Sequence, residues 1–138
     1  MHVPVHVMGI SRYGPHGVGS SLNSIDLPAG LTLIGDEAFI DCSGLTTVAV
    51  PENVTAIGQL AFAQCVRLAN LTLPEGLTSI GQEGFLGCVG LKTIDIPHTV
   101  THVGARAFEQ CGCQNSSIWG AGTKVCNCTA CMDDSYTR

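Results

Sequence analysis

The chain has few charged and few aromatic residues: 12% of its 138 residues are Asp, Glu, Lys or Arg, and 5% are Phe, Trp or Tyr. Its six basic residues are scattered among eleven acidic ones, for a formal net charge of -5. It therefore lacks the clustered Lys and Arg that a nucleic-acid-binding face requires. It also lacks any apolar run near the roughly 20 residues that span a bilayer, so we predict no membrane insertion.

The start of the chain has no charged region that leads into an apolar core. A secretory signal peptide is therefore not visible. We expect that the chain either begins downstream of such a peptide or is not exported by that route.

A recognisable catalytic motif is also missing. No Ser, Cys or Thr stands at motif spacing from a base and an orienting carboxylate, and the Gly residues do not form a phosphate-binding loop. Two pairs of His residues have a spacing of four, which would suit a metal ion only on a helix. Pro4 lies between His2 and His6, and a predicted turn separates His98 from His102. We predict no enzymatic activity, no cofactor and no metal at these pairs.

The most informative pattern that is present is a period of 23 residues. Each Phe is followed three positions later by a Cys, and the pairs are Phe39 with Cys42, Phe62 with Cys65, Phe85 with Cys88, and Phe108 with Cys111. Such a period predicts a short unit stacked on copies of itself, because one copy alone cannot bury its apolar face. We predict that these Phe and Cys side chains form the structural core.

Each repeat begins with a stretch in which apolar and polar residues alternate and which ends in Pro. In the second repeat, Val48 and Val50 alternate with polar or small residues before Pro51. Period-two alternation is typical of a β-strand, and Pro closes the strand because it cannot donate a backbone hydrogen bond. The following Glu52 and Asn53 suit a turn.

A second apolar pair, a Gly and a short segment with the Phe complete each repeat. In the second repeat the pair is Val54 with Ile57, and Gly58 follows. A Gly at this junction predicts either a positive φ or a close approach of another backbone. We predict one or two helical turns for the segment that carries the Phe, with the small Ala61 against the neighbouring coil.

This combination of strand, Pro, Gly, Ala-Phe and Cys resembles the BspA-like leucine-rich repeats, whose consensus is roughly LxxIxIPxxVxxIGxxAFxxC. The resemblance covers residues 22–113, with Gly84 in place of the usual Ala as one of few departures. It implies an α/β leucine-rich-repeat solenoid of short parallel strands and short helical turns. It also implies a role in adhesion or recognition and no catalytic residue.

We expect three regions along the chain. Residues 1–21 form an N-terminal cap or a degenerate repeat, residues 22–113 form four 23-residue repeats, and residues 114–138 form a cysteine-rich C-terminal cap or tail. Caps are expected because a terminal coil otherwise exposes its apolar face. The alternative that the chain is one piece of a longer array stays open.

The four Cys of the repeats are predicted to be reduced. Equivalent residues of stacked coils lie one rung apart, about 4.7 to 4.9 Å, with parallel Cβ vectors. A disulfide needs Cβ atoms about 3.8 Å apart. We expect these thiols to act as small apolar groups in the core.

Four further Cys, at positions 113, 126, 128 and 131, lie beyond the last regular repeat. Cys113, Cys126, Cys128 and Cys131 either staple a cap through disulfides or hold a structural zinc ion, to which Cys111 is another candidate ligand. A zinc ribbon has two CxxC pairs whereas this tail has one, which favours disulfides, and free thiols are a third alternative.

The strand positions that alternate with the core residues form the candidate binding surface. Short, mostly polar side chains align there in two columns: Ser24, Thr47, Asn70 and Thr93 in one, and Asp26, Ala49, Thr72 and Asp95 in the other. Such groups on a rigid sheet can hydrogen-bond an extended peptide or sugar hydroxyls at low entropic cost. A sheet face that contacts only solvent and binds no partner would have a similar composition, because Thr is favoured in strands.

From these patterns we predict a non-enzymatic recognition or adhesion module that binds a protein or a glycan through the sheet face. We expect it to be extracellular or displayed on a cell surface. The alternative is an intracellular protein-interaction scaffold whose cysteine tail binds zinc. The redox state of the tail distinguishes the two hypotheses.

Overall fold

The computed structural model describes residues 23–92 and 94–112 in full and residues 116–119, 123–126 and 136–137 as backbone strands. These described residues contain ten short β-strands and no α-helix. The strands are β1 (Leu33–Ile34), β2 (Thr47–Ala49), β3 (Ala56–Ile57), β4 (Asn70–Thr72), β5 (Ser79–Ile80), β6 (Asp95–Ile96), β7 (His102–Val103), β8 (Ser116–Trp119), β9 (Thr123–Cys126) and β10 (Tyr136–Thr137).

The predicted strand of each repeat, the one that ends at Pro, forms one side of the coils. β2 and β4 pair in parallel, with Thr47 opposite Asn70, and Ser24 forms a parallel bridge to Thr47. β6 and β8 also pair in parallel, with Asp95 opposite Ile118, so this side of the stack continues beyond residue 112 at the same offset of one repeat. We call the side made by β2, β4, β6 and β8 the first face.

A second parallel sheet, which the sequence analysis did not predict, forms another side of the coils. β1, β3, β5 and β7 pair in this order, again offset by one repeat, and we call this side the second face. Its strands are only two residues long, and the second residue of each is buried. β10 pairs with β7 and β9 with β8 in antiparallel fashion, so reversed strands cover one edge of each face.

The turn predicted after each Pro is confirmed. The amide of Val54 donates to the carbonyl oxygen of Pro51 at 3.1 Å. The same bond joins Leu31 to Pro28, Leu77 to Pro74, and Val100 to Pro97. Each Pro therefore ends a strand of the first face and directs the chain into the second face.

The segment that carries the Phe and Cys forms consecutive hydrogen-bonded turns, and none of its described residues is assigned to the helical turns that the sequence predicted. In the first described repeat the amides of Ala38, Ile40 and Cys42 donate to carbonyl oxygens three residues earlier. The alternate amides, those of Glu37 and Phe39 among them, donate to the next coil at 2.9 and 2.7 Å. Two positions of this segment have positive φ angles in successive repeats. The first is that of Glu37, Leu60, Glu83 and Arg106, and the second is that of Asp41, Gln64 and Gln110. The hydrogen bonds between coils offset the cost of this left-handed geometry.

The Gly that follows each strand of the second face is required by close packing of neighbouring coils. A Cβ at Gly58 would lie 2.7 Å from the carbonyl carbon of Gly35, and one at Gly81 would lie 2.6 Å from that of Gly58. Neither Gly58 nor Gly81 has a positive φ. Of the two predicted reasons for Gly here, the close backbone approach is therefore correct.

The Phe side chains form one continuous ladder at the centre of the stack, as predicted. Successive ring centroids, from Phe39 through Phe62 and Phe85 to Phe108, are 5.2, 5.3 and 5.4 Å apart, and the rings are stacked. Each of the four side chains is at most 1% exposed. The aromatic ladder therefore runs through one shared hydrophobic interior of the four described coils.

The repeat cysteines are free thiols, in agreement with the prediction. Cys42, Cys65 and Cys88 are buried, and Cys111 is half-buried. Cys113, Cys128 and Cys131 lie outside the described residues, and Cys126 is described only as the last backbone position of β9. The choice between disulfides, zinc and free thiols in the tail therefore stays a prediction.

Candidate interaction surface

The two predicted columns of short side chains lie on the first face. Register pairs Thr47 with Asn70 in one column and Ala49 with Thr72 in the other. The described members of both columns are exposed: Ser24, Asp26, Thr47, Ala49, Asn70, Thr72 and Asp95. Thr93 lies outside the described residues. The first face thus presents two parallel rows of side chains, one residue per coil in each row.

The residues between the two columns point into the core. Val48 is 1% exposed, and Ile25 and Ile94 are also buried, whereas Leu71 is only partly buried. This in-and-out alternation holds the backbone of the first face against the aromatic core. Exposed groups on such a face are positioned before any partner arrives, which lowers the ordering cost of binding.

A column of Thr on the second face was missed by the sequence analysis. Thr32, Thr55, Thr78 and Thr101 are exposed and stand one repeat apart. The hydroxyl of Thr78 donates to the carbonyl oxygen of Thr55 at 2.9 Å, and Thr55 and Thr101 make the equivalent bonds at 3.4 and 3.3 Å. The same 23-residue period that revealed the Phe residues also contains this signal. Since the hydroxyls of Thr55, Thr78 and Thr101 bond to the preceding coil, the column stabilises the stack.

A groove of about 380 Å³ opens on the first face where it meets the proline turns of the first two coils. Leu27, Ala49, Val50 and Pro51 contribute apolar surface to it. Ala29, Glu52 and Asn53, from the turns themselves, also line it. The amide nitrogen of Asn53 donates to the carbonyl oxygen of Ala29 at 3.2 Å, which joins the two turns.

Exposed acidic residues lie along this side of the stack. Asp26 and Asp95 stand in the second column of the first face, and Glu52 and Glu75 stand at the first position of their proline turns. Each of the four described coils thus contributes one carboxylate to the first face or its turn. The local charge agrees with the negative net charge of the whole chain.

The buried thiols of Cys65 and Cys88 are not suited to chemistry with solvent. The neighbouring sulfur of Cys42, as a hydrogen-bond partner, and burial both raise the pKa of Cys65, and Cys111 and burial do the same for Cys88. A thiol with a raised pKa is a poor nucleophile at neutral pH, because the thiolate is the reactive form. Within the described ranges, no group of three or more His, Cys, Asp or Glu side chains is arranged to hold a metal ion. No helix among those residues has the length and apolar character needed to cross a bilayer.

The repeat matches a known family over most of the chain. The model of the BspA type leucine rich repeat region matches residues 18–130, in six copies. The chain belongs to the BspA-type leucine-rich repeat family. The resemblance and the leucine-rich-repeat fold predicted from the sequence are thereby confirmed. The family match extends past residue 113, as does the parallel pairing of β6 with β8.

Solved bacterial leucine-rich repeat proteins have similar structures. A leucine-rich repeat protein of T. pallidum is 30% identical with a TM-score of 0.78, and the match covers 84% of this chain and 54% of that one. One from Bacteroides ovatus is 33% identical with a TM-score of 0.73, over 83% of this chain and 31% of that one. The pneumococcal vaccine antigen PcpA is 26% identical with a TM-score of 0.68, over 73% and 25% of the two chains.

This chain therefore spans about half the length of the T. pallidum protein and about a third of the Bacteroides protein. No curated protein matches it. Leucine-rich repeat proteins of this family are typically non-enzymatic binding modules. Leucine-rich-repeat surface proteins suggest a protein-interaction or adhesion module.

Proposed function

We propose that this BspA-type chain is a non-enzymatic recognition module that binds a protein or a glycan through the first face, outside the cell or on its surface. The observation that carries the proposal is the pair of exposed columns, in which Thr47 stands opposite Asn70 and Ala49 opposite Thr72. Hydroxyl, amide and carboxylate groups repeat there once per coil, on a backbone held by the aromatic core.

The composition of the columns predicts the character of the binding. Neither column contains an aromatic residue or an Arg, which are the usual centres of binding energy in protein interfaces. Affinity would therefore come from several weak contacts made in register by successive coils. This mode of binding suits an extended partner that lies along the stack, such as a peptide segment or a glycan chain.

Surface display is supported by one of the similar proteins. The similar PcpA is a vaccine antigen of pneumococcus, which fits a protein accessible from outside the cell. The polar, acidic first face is also compatible with exposure to solvent outside the cell.

A binding screen of the full chain against a glycan array and a panel of extracellular matrix proteins tests the proposal. Any partner found is then measured with a Thr47→Arg, Asn70→Arg double variant, in which bulky charged groups cover the first column. We expect binding to weaken about tenfold or more, a loss of about 1.4 kcal/mol. The matched control is Gln59→Arg, at an exposed position of the turn segment that follows Gly58 in the same coil as Thr47.

Thermal unfolding of all variants checks that the stack is intact. An unchanged affinity in the double variant, or an equal loss in the Gln59→Arg control, would reject the first face as the binding surface. Absence of any partner in both the glycan and the protein panels would count against the proposal as a whole.

A further inference from the structure

The groove beside Pro51 marks the place where the repeat pattern loses two of its longer side chains. Ala49 occupies the column position that holds Asp26, Thr72 and Asp95 in the other coils. Ala29 occupies the turn position that holds Glu52, Glu75 and His98 in the others. These two Ala residues both line the groove. The hollow therefore exists because this chain departs from its own repeat at two neighbouring positions.

The surface of the groove has two chemical parts. Leu27, Ala49 and Pro51 offer apolar contact area, whereas Glu52 and Asn53 bring polar groups from the turn. A volume of about 380 Å³ is enough for one long side chain and lies within the usual range of ligand pockets, about 300 to 1,000 Å³. Such a site suits a side chain with an apolar stem and a polar, hydrogen-bonding head.

The charge around the groove selects a cation. None of the described residues that line it is basic, and one of them, Glu52, is acidic. A second carboxylate, that of Asp26, stands one rung from Ala49 in the same column of the first face. A planar guanidinium matches a carboxylate with two parallel hydrogen bonds, which an ammonium group cannot form.

We propose that this groove binds an arginine side chain of a partner protein. The aliphatic stem packs on Leu27, Ala49 and Pro51, and the guanidinium pairs with the carboxylate of Glu52. The inference rests on the proposed recognition function and narrows its partner from a protein or glycan to a protein with an exposed Arg. It also supplies, from the partner, the kind of anchor residue that the columns of the first face lack.

The first test titrates the full, isotope-labelled chain with Nα-acetyl-arginine amide and follows backbone amide shifts by NMR. We expect shifts centred on Ala49, Glu52 and Asn53. Nα-acetyl-citrulline amide, which has nearly the same shape but no charge, should bind about 3- to 10-fold more weakly, because the paired carboxylate discriminates charge. Equal affinity for the two probes, stronger binding of Nα-acetyl-lysine amide, or shifts elsewhere on the chain would overturn the proposal.

The second test restores the repeat. Ala49→Thr installs the residue that the next coil carries at this position, so the fold should accept it while the groove becomes smaller. We expect binding of the arginine probe to fall about fivefold or more. Ala69→Thr is the matched control, because Ala69 is also exposed on the strand side, stands one repeat after Thr46 and does not line the groove.

The third test removes the charge. Glu52→Gln should abolish the preference for arginine over citrulline, whereas Glu75→Gln, one repeat later and outside the groove, should leave it unchanged. An unaltered preference for arginine over citrulline in Glu52→Gln would contradict the role assigned to that carboxylate. A partner that binds normally to Ala49→Thr but not to the Thr47→Arg, Asn70→Arg variant would disprove the arginine site and leave the recognition function of the first face standing.

Discussion

The thiol of Cys65 donates a hydrogen bond to the backbone carbonyl of Phe39 in the preceding coil, with the sulfur 3.2 Å from the oxygen. The same contact joins Cys88 to Phe62 at 3.1 Å and Cys111 to Phe85 at 3.2 Å. The carbonyl oxygen of Phe39 also accepts from the amide of Cys42 at 3.2 Å, so the thiol of Cys65 supplies its second hydrogen bond. The repeat cysteine is therefore both a small core residue and a donor that ties each coil to the one before it.

The thiols of Cys65 and Cys88 should make the fold less stable at high pH. Because the pKa values of Cys65 and Cys88 are raised, the folded chain keeps both protons above the ordinary thiol pKa of 9.0, whereas the unfolded chain releases them. The free energy of unfolding should therefore be insensitive to these groups below about pH 9 and fall as the pH rises above it. Urea unfolding under reducing conditions, at about pH 8 and about pH 10, measures this change.

A Cys65→Ala, Cys88→Ala double variant is the control for the pH effect. It should be less stable at the lower pH but should lose less additional stability at the higher pH. If the double variant loses as much stability between the two pH values as the natural chain does, the thiols are not responsible.

Truncation of an interior ring of the aromatic ladder should be severe. Phe62 stacks on rings at both sides and is fully buried, so Phe62→Ala should lower the free energy of unfolding by about 3 to 5 kcal/mol. Leu33→Ala removes an apolar side chain that is 41% exposed on the second face and should cost less than about 0.5 kcal/mol. Chemical denaturation compares the two, and a similar cost for both would contradict a shared aromatic core.

A methyl group should be tolerated at some Gly positions and not at others. Gly58→Ala places a Cβ against the backbone of the preceding coil, so we expect a loss of about 1 to 3 kcal/mol. Gly76→Ala meets only the carbonyl oxygen of Glu52 at 3.3 Å and should cost clearly less. Thermal unfolding of the two variants checks this order, and the reverse order would show that coil spacing does not determine the choice of Gly.

The tail cysteines are predicted to form disulfides, while those of the repeats stay reduced. Intact-mass measurement after alkylation, with and without prior reduction, should show disulfides confined to Cys113, Cys126, Cys128 and Cys131. Zinc bound to a chain that contains no disulfide would instead favour the intracellular scaffold. A disulfide that involves Cys42, Cys65 or Cys88 would contradict the free, buried thiols of the core.

Much of the fold could be predicted because one short pattern repeats. The local sequence of each of the four repeats predicts a strand before Pro and a turn after it. The alignment of the repeats also predicts the burial of Phe39 and its equivalents. The second face was not predicted, because strands of two residues, such as β3, are too short for a period-two pattern to distinguish. The positive φ of Glu37 and its equivalents was also missed, because hydrogen bonds to the next coil stabilise it and the local residue types do not indicate it.

The candidate site was also predicted only in part from the sequence. Register alone placed Thr47 beside Asn70, and the structure has them paired and exposed. The groove beside Pro51 did not emerge from the sequence analysis, although Ala29 and Ala49 break their columns visibly in the repeat alignment. A missing side chain becomes a hollow only if the residues around it approach closely enough to form walls, and that depends on how the coils pack.

The amino-acid sequence by itself determined that this protein is a stack of 23-residue units with Phe at its centre, because apolar side chains at a fixed period can be buried only by neighbouring copies. Only the tertiary structure decided how one coil bonds to the next. The thiol of Cys65, the hydroxyl of Thr78 and the backbone at Gly58 each meet a group about one repeat away, at distances set by coil spacing rather than by local residue preference.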